Sequence, residues 1–412
     1  MIQRRRISLA ASVSLVLAVA ACAVATAPPS AVSPSGAASL PGTSATPRAT
    51  QAPEATPPPG TLAAELSIHT IPRDLSGTTL EFVSDGSAIL YSSSRALDSG
   101  PAGAPDLWRY EPGADEPTLV WHNPERNHSI VKIAGDTGMI AFVEIPLTGE
   151  RAWNLWLVPE VGADAILLDR LSGDDAIPDF VPSLAADRPT VAWTAFDRGP
   201  HGPVSQLLVA HAPDWKPRVI AERMAADGEL WLPSIDGTRL VYTEVRYAAD
   251  RQSDERTVHL VDLSSPASPP RRLDASGRAT MPLIVGDSVV WKEADAGMNM
   301  FDWGRMYRYD LRTGTVERIG ITPQERVNYP SAGTRFIAWW GRDAFRFGVY
   351  DLERGQARRI ASYTVESQDN VLRPHVAGDL LVWLFVDGAT PELRSELRWA
   401  YLPAAGSDRL GD

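Results

Sequence analysis

An aromatic side chain returns about every fifty residues along most of this chain, at Tyr91, Phe142, Trp193, Tyr242, Trp291, Trp339 and Trp383. The steps are 51, 51, 49, 49, 48 and 44 residues. A steady period of that length means one supersecondary unit repeated, each unit burying its apolar face against the next. The unit is plainest at 231–274, WLPSIDGTRLVYTEVRY…RTVHLVDLSSPASPPRRLD. A first short strand ends in the tight turn Ile235-Asp236-Gly237-Thr238, and a second apolar strand follows at 239–244. A polar excursion leads to a third strand at 257–263, and a Ser/Pro turn precedes a short fourth strand ending at Leu273.

Other positions keep the same register. The first strand carries Pro182, Pro233, Pro282, Pro330 and Pro374. Asp85-Gly86, Gly135-Asp136, Asp236-Gly237, Gly286-Asp287 and Gly378-Asp379 mark the first-to-second strand turn with residues that tolerate positive φ. Third strands are expected at 107–110, 155–158, 207–210, 258–263, 306–311, 347–352 and 397–402. Fourth strands are expected to end near Val120, Leu167, Ile220, Leu273, Ile319 and Ile360. Seven units therefore have three strands each, but only six have a fourth. Alternation of Leu66, Ile68 and Thr70 with Ser67 and His69 predicts the missing strand at 65–71, where it completes the last unit and leaves no free sheet edge. The expected fold class is all-β, a β-propeller of seven four-stranded blades closed by an N-terminal strand, with six blades as the alternative.

The run Pro233-Ser234-Ile235-Asp236-Gly237-Thr238-Arg239-Leu240-Val241-Tyr242 resembles the repeat of TolB-like propellers, and so does Val349-Tyr350-Asp351-Leu352-Glu353-Arg354-Gly355. The resemblance covers about 80–402. It implies a propeller of the bacterial envelope, often a binding platform or the lid of a hydrolase. The first two repeats depart from the pattern in lacking the proline, and no helical domain is expected ahead of the propeller.

The N-terminus reads differently. Arg4-Arg5-Arg6 and the apolar run 7–21 have the form of a secretory signal, too short for a span of about 20 residues. The run ends Val19-Ala20-Ala21-Cys22, which resembles a lipobox, and Cys22 is the only cysteine, so no internal disulfide competes for it. Residues 1–22 are thus expected to be a lipoprotein signal with Cys22 as the lipid attachment site. Residues 23–62 form a Pro/Ala/Ser/Thr tether whose composition cannot offset its ordering entropy. The propeller is expected over 63–412. The localisation follows: exported, and anchored to the bacterial membrane through the Cys22 lipid. A net charge of −12 argues against nucleic acid and against an anionic lipid surface as partners.

The long polar segments 94–105, 122–128, 169–179, 247–255, 294–305, 322–328 and 362–370 all join second to third or fourth to first strands, which places them on one face of a propeller. Variable loops on a rigid scaffold are where binding usually lives. The loop 295–305 stands out, with Met298, Met300, Phe301 and Trp303 beside Asp302 and Arg305 in a segment expected to be exposed. Such a patch suits a protein, peptide or glycan partner; a loop folded back as a plug is the plainer alternative. Tyr247 and Arg251 on the neighbouring loop are the next binding candidates.

Chemistry is harder to find. His122, Glu125 and His128 match no common zinc spacing, and the acidic run with Asp174, Asp175 and Asp179 lacks a calcium-loop ladder. Glu144, Glu244 and Glu293 recur two residues after the period aromatic, where local pairing explains them better than catalysis. There is no G-x-S-x-G elbow, phosphate loop or dinucleotide fingerprint. No metal, cofactor or catalytic residue is therefore assigned. The expected role is a binding or scaffold module, with a propeller-type glycosidase, lyase or quinoprotein dehydrogenase as the alternative.

Overall fold

The computed structural model describes residues 66–72, 81–93, 106–123, 128–146, 152–172, 180–249, 254–265, 267–295, 303–320, 326–341, 346–361, 370–387 and 394–403. Strand β1 (His69–Thr70) comes first and joins the last set described below. The first full set is β2 (Phe82–Ser84), β3 (Ile89–Ser93), β4 (Asp106–Tyr110) and β5 (Thr118–Trp121). It is followed by β6 (His128–Asp136), β7 (Met139–Pro146), β8 (Ala152–Val158) and β9 (Ile166–Ser172). Next come β10 (Leu184–Asp187), β11 (Thr190–Gly199), β12 (Gly202–His211) and β13 (Arg218–Met224). The unit first read from the sequence is β14 (Gly228–Asp236), β15 (Arg239–Arg246), β16 (Glu255–Asp262) and β17 (Arg271–Arg272). Then follow β18 (Ala279–Val285), β19 (Ser288–Ala294), β20 (Gly304–Asp310) and β21 (Val316–Arg318). These share a sheet with β22 (Val327–Ala332), β23 (Phe336–Gly341), β24 (Arg346–Asp351) and β25 (Gln356–Ala361). The two groups of four are joined at one residue pair, Gly304 with Val327. The last set is β26 (Asn370–Ala377), β27 (Leu380–Asp387) and β28 (Arg394–Tyr401), completed by β1. Every pairing between these strands is antiparallel, and the fold class is all-β.

The first strands β2, β6, β10, β14, β18, β22 and β26 each contact the next, and β26 contacts β2, so they line the inside of a closed cycle. The period aromatics explain why the sets pack this way. Trp193 lies against Ala141 and Leu155 of the preceding set, and Tyr242 against Ala192 and Leu207. Trp291 meets Val241 and Val258, Trp339 meets Val290 and Met306, and Trp383 meets Ala338 and Phe347. Phe142 packs on Leu90 and Leu107, and Tyr91 closes the cycle on Leu380 and Val382 of the last set. All seven are 2% exposed or less. The fifty-residue period is thus the period of the interface. Truncating one such ring costs about 3–5 kcal/mol in other cores.

Closure from the N-terminal side is as expected, over a shorter stretch. His69 pairs with Trp399 and Thr70 with Arg398, and the Ile71 N–H donates to the Leu397 carbonyl at 3.1 Å. The His69 ring also stacks on Trp399, with centroids 4.4 Å apart.

The prolines do something the repeat pattern did not foretell. In β14, β18, β22 and β26 two residues of the inner strand face one of its neighbour, with register breaks at Trp231/Ser234, Thr280/Leu283, Asn328/Ser331 and Leu372/His375. The residue before each proline carries a positive φ: Leu232 at 52°, Met281 at 55°, Tyr329 at 43° and Arg373 at 49°. Proline lacks a ladder donor and is tolerated on an edge strand or at a bulge; here it has both. Pro182 differs, lying just before β10. One turn also moves: Gly135 and Asp136 are the last residues of β6, and the turn falls on Thr137 and Gly138 at φ 44° and 87°.

Candidate functional site

The junction of β20 with β22 is where the sequence and the geometry converge. Gly304 opens β20 so close to β19 that a Cβ there would lie 2.4 Å from the Glu293 carbonyl oxygen. Only glycine permits that approach, and it lets Gly304 reach Val327 across the seam. The residues flanking the junction gather three rings. Trp303 lies 5.3 Å from Trp340, centroid to centroid, with the planes inclined by 58°. Tyr329 lies 6.4 Å from Trp340 at 30°. Tyr329 is 37% exposed and is one of the four residues that precede a strand proline at positive φ.

Charge surrounds the rings. Asp295 takes Arg326 at 2.8 Å on one oxygen and Arg305 at 3.6 Å on the other. Lys292 is fully buried, its amine 2.6 Å from the Asn328 side-chain oxygen, which also accepts the Tyr329 N–H at 3.0 Å. A buried ammonium needs such partners to offset desolvation. Among the described residues, Trp340 Nε1 and Arg305 Nε are buried donors with no hydrogen-bond acceptor. Unfilled buried donors are rare in folded chains and each calls for an explanation.

Of the residues singled out from the sequence, Trp303 and Arg305 belong to this cluster. Met298, Met300, Phe301, Asp302, Arg251 and Cys22 lie outside the described residues. Tyr247 sits elsewhere, beyond the end of β15; its hydroxyl donates to Glu229, as does the Trp231 indole, and its N–H donates to the Asp227 carbonyl at 2.8 Å. Tyr329, Trp340, Asp295, Arg326 and Lys292 were not singled out. A signal existed in Trp339-Trp340: neighbours on a strand face opposite ways, so if Trp339 fills the interface Trp340 cannot.

The recurrent glutamates are satisfied locally. Glu144 meets His128 Nδ1 at 3.0 Å and accepts the Trp156 indole N–H at 3.0 Å. Glu293 accepts the Trp291 indole N–H at 3.1 Å. Glu244 is the most elaborate, touching Arg223, Arg246 Nε at 3.0 Å and His259 Nε2 at 3.0 Å. Burial pushes His259 down to about 4, with the Asp274 charge opposing, so at neutral pH its contact with Glu244 is a hydrogen bond from a neutral imidazole. Burial pushes the adjoining Tyr242 phenol up to about 12. Burial likewise raises Asp169, against the Trp193 indole N–H that it accepts at 2.8 Å. Of the other candidates, His122 Nδ1 lies 2.9 Å from Asp106, and among the described residues no three His, Cys, Asp or Glu side chains converge as metal ligands.

No family model matches the chain, and no relative is found among curated proteins. Solved structures do match. The β-propeller domain of the Trilobed protease from Pyrococcus furiosus, described as having an open velcro topology, aligns with TM-score 0.56 and 11% identity over 82% of this chain and 99% of that one. A prolyl endopeptidase aligns with TM-score 0.54 and 14% identity over 80% of this chain, which spans only 50% of the peptidase. TolB from Acinetobacter baumannii aligns with TM-score 0.41 and 15% identity, covering 76% of this chain and 79% of that one. Identities this low speak to fold alone, and with the closed cycle of antiparallel sheets they make this chain a β-propeller.

Proposed function

We propose that this chain is a TolB-like, seven-bladed binding module of the bacterial envelope, held to the membrane by lipid on Cys22 and reaching its partner through the 23–62 tether. The partner is a protein, peptide or cell-wall glycan. The observation that carries the reading is the Trp303–Trp340–Tyr329 cluster, three rings beside two arginines. Aromatic and arginine side chains concentrate binding energy at interfaces, and a rigid propeller holds them ready at low entropic cost. An enzyme reading has one observation of its own, the His259–Glu244–Arg223 group, in which the histidine and glutamate are buried. Those residues come from two adjacent sets and are already paired with one another, which suits structure better than turnover.

One experiment tests anchor and site in sequence. Cys22→Ala should move folded protein from the membrane fraction to the soluble fraction, because a single lipid attachment point is then lost. The released protein should bind purified envelope fragments, and Trp303→Ala combined with Tyr329→Ala should abolish that binding while the melting temperature moves by only about 2 °C. Retention of Cys22→Ala in washed membranes overturns the anchor. Undiminished binding by the double variant overturns the site.

A further inference from the structure

We infer that a second docking surface lies in the groove between β13 and the turn that follows β16. Its ligand is an extended segment of another protein, with an aliphatic residue beside an aspartate or glutamate. This surface shares no residue with the Trp303 cluster and does not depend on the recognition reading above. The groove holds a cavity of about 60 Å³, lined by Val219, Ile220, Val261 and Leu263 with Arg218 and Ser268 beside them. Local folding explains it. β13 and β12 lose register at Leu207/Leu208, so Ile220 falls out of the ladder and packs on the cluster that includes Val261 of the next set, while Val219 stays 45% exposed. Across the groove the turn is held in place. The Leu263 N–H donates to the Thr238 carbonyl at 2.7 Å and the Ser268 N–H to the Ser265 carbonyl at 2.9 Å. The Asp262 carboxylate accepts the Ser264 N–H at 2.9 Å and its hydroxyl at 2.6 Å.

Size, charge and backbone together select the occupant. A cavity of about 150 Å³ admits benzene, so one of about 60 Å³ takes a single branched aliphatic side chain and refuses an aromatic ring or a sugar. Arg218 is exposed, and among the described residues nothing pairs with its guanidinium. The carboxylates of the flanking turns are engaged, Asp214 with Lys216 at 3.8 Å and Asp262 with Ser264. On a chain of net charge −12, an open arginine beside an apolar groove is complementary to a carboxylate. β13 is also outermost in its sheet, and its outward N–H and carbonyl groups meet no other backbone among the described residues. An extended peptide can pair with such an edge, whereas an acyl chain cannot. The bulge at Ile220 limits that pairing to a few residues, so the cavity and Arg218 choose the partner, not a long ladder.

The test follows the Ile220 methyl resonance, assigned through Ile220→Val, in isoleucine-labelled Cys22→Ala protein. The probe is the N-acetylated, C-amidated peptide Ser-Gly-Asp-Leu-Asp-Gly-Ser. It should shift that resonance saturably, with half-saturation near about 1 mM. Replacing its leucine by glycine should abolish the shift, and replacing both aspartates by lysine should weaken binding about tenfold or more. In the protein, Arg218→Glu reverses a charge without disturbing any partner and should weaken binding about tenfold. Ser268→Trp fills the groove from an exposed position and should abolish binding; should it fail to fold, Arg218→Glu decides alone. Unchanged binding in a folded variant overturns the inference, as does no shift at about 10 mM peptide. Equal binding of the lysine peptide overturns it too, since the groove is then merely apolar. Octanoate that displaces the peptide at lower concentration assigns the groove to acyl chains, and self-association lost in Ser268→Trp assigns it to a second copy of this chain. Either result overturns the inference and leaves the recognition reading to its own assay.

Discussion

The two parts of the propeller solve the inner strand differently. In β14, β18, β22 and β26 the strand bulges at an X-Pro pair and holds the preceding residue at positive φ. In β2, β6 and β10 none of the described strand residues has a positive φ, and β6 breaks register only between Ile130 and Lys132, without proline. Yet all these strands contribute the same kind of interface, each sealed by a period aromatic. The comparison separates two kinds of information in one repeat. The aromatic sets how sets pack; the proline sets how the inner strand is aimed. Tyr329, a member of the aromatic cluster, is aimed by the second device. Non-glycine residues at positive φ cost on the order of 1–3 kcal/mol and tend to mark functional positions.

The largest expected effect lies where the two parts meet. The last bulged set is completed by β1 and touches the first unbulged set through Tyr91, through the Ser84 N–H donated to His375 Nδ1 at 3.0 Å, and through Arg373 with Glu81 at 2.6 Å. Deleting residues 23–60 should leave the melting temperature nearly unchanged. Extending the deletion through Ile71 removes β1, a fully buried isoleucine and the cover of Trp399, and should cost several kcal/mol. Equal thermal stability in the two truncations would mean that closure does not depend on β1.

A smaller effect should appear with acid. Burial pushes both His375 and His259 down to about 4. A histidine with a depressed folded pKa binds its proton more readily when unfolded. Its contribution is therefore complete above the unfolded value of about 6.5 and declines as pH falls from there toward 4. Each histidine should account for up to about 3 kcal/mol over that window. Denaturant titrations from pH 7 to 4 should show the decline, and His375→Asn, which keeps a side-chain acceptor for Ser84, should lessen the slope by about one proton. An unchanged slope would remove the junction histidine from the account.

How much of this was legible follows from the same division. The period was readable because each aromatic must recur to fill an interface, and the missing fourth strand was readable by subtraction. The aromatic cluster was half readable. Trp303 and Arg305 stood out in a polar loop, but Tyr329 and Trp340 lie within runs that read as ordinary strand. Tyr329 in particular precedes a proline, a position biased toward extended backbone, so nothing local announced its positive φ. The pairing of loop residues with a neighbouring set is a long-range fact, and spacing along one unit does not contain it.

The finest test of the comparison uses glycine and alanine at one position in each part. In an ordinary strand glycine is less stable than alanine by about 0.5–1 kcal/mol, because it has more freedom to lose. Lys132 on β6 is half-buried and its φ is not positive, so Lys132→Gly should fall below Lys132→Ala by that amount. Arg373 on β26 is exposed at φ 49°, where alanine is strained and glycine is not. Both substitutions there lose the same ion pair to Glu81, so their difference isolates the backbone. Arg373→Gly should therefore exceed Arg373→Ala by about 1 kcal/mol, reversing the order seen at Lys132. Chemical denaturation of the four variants measures both differences. If alanine wins at both positions, the bulge relaxes without cost once the side chain is gone. The proline would then set only where the strand bends, and the aim of Tyr329 would have to come from its ring contacts with Trp340.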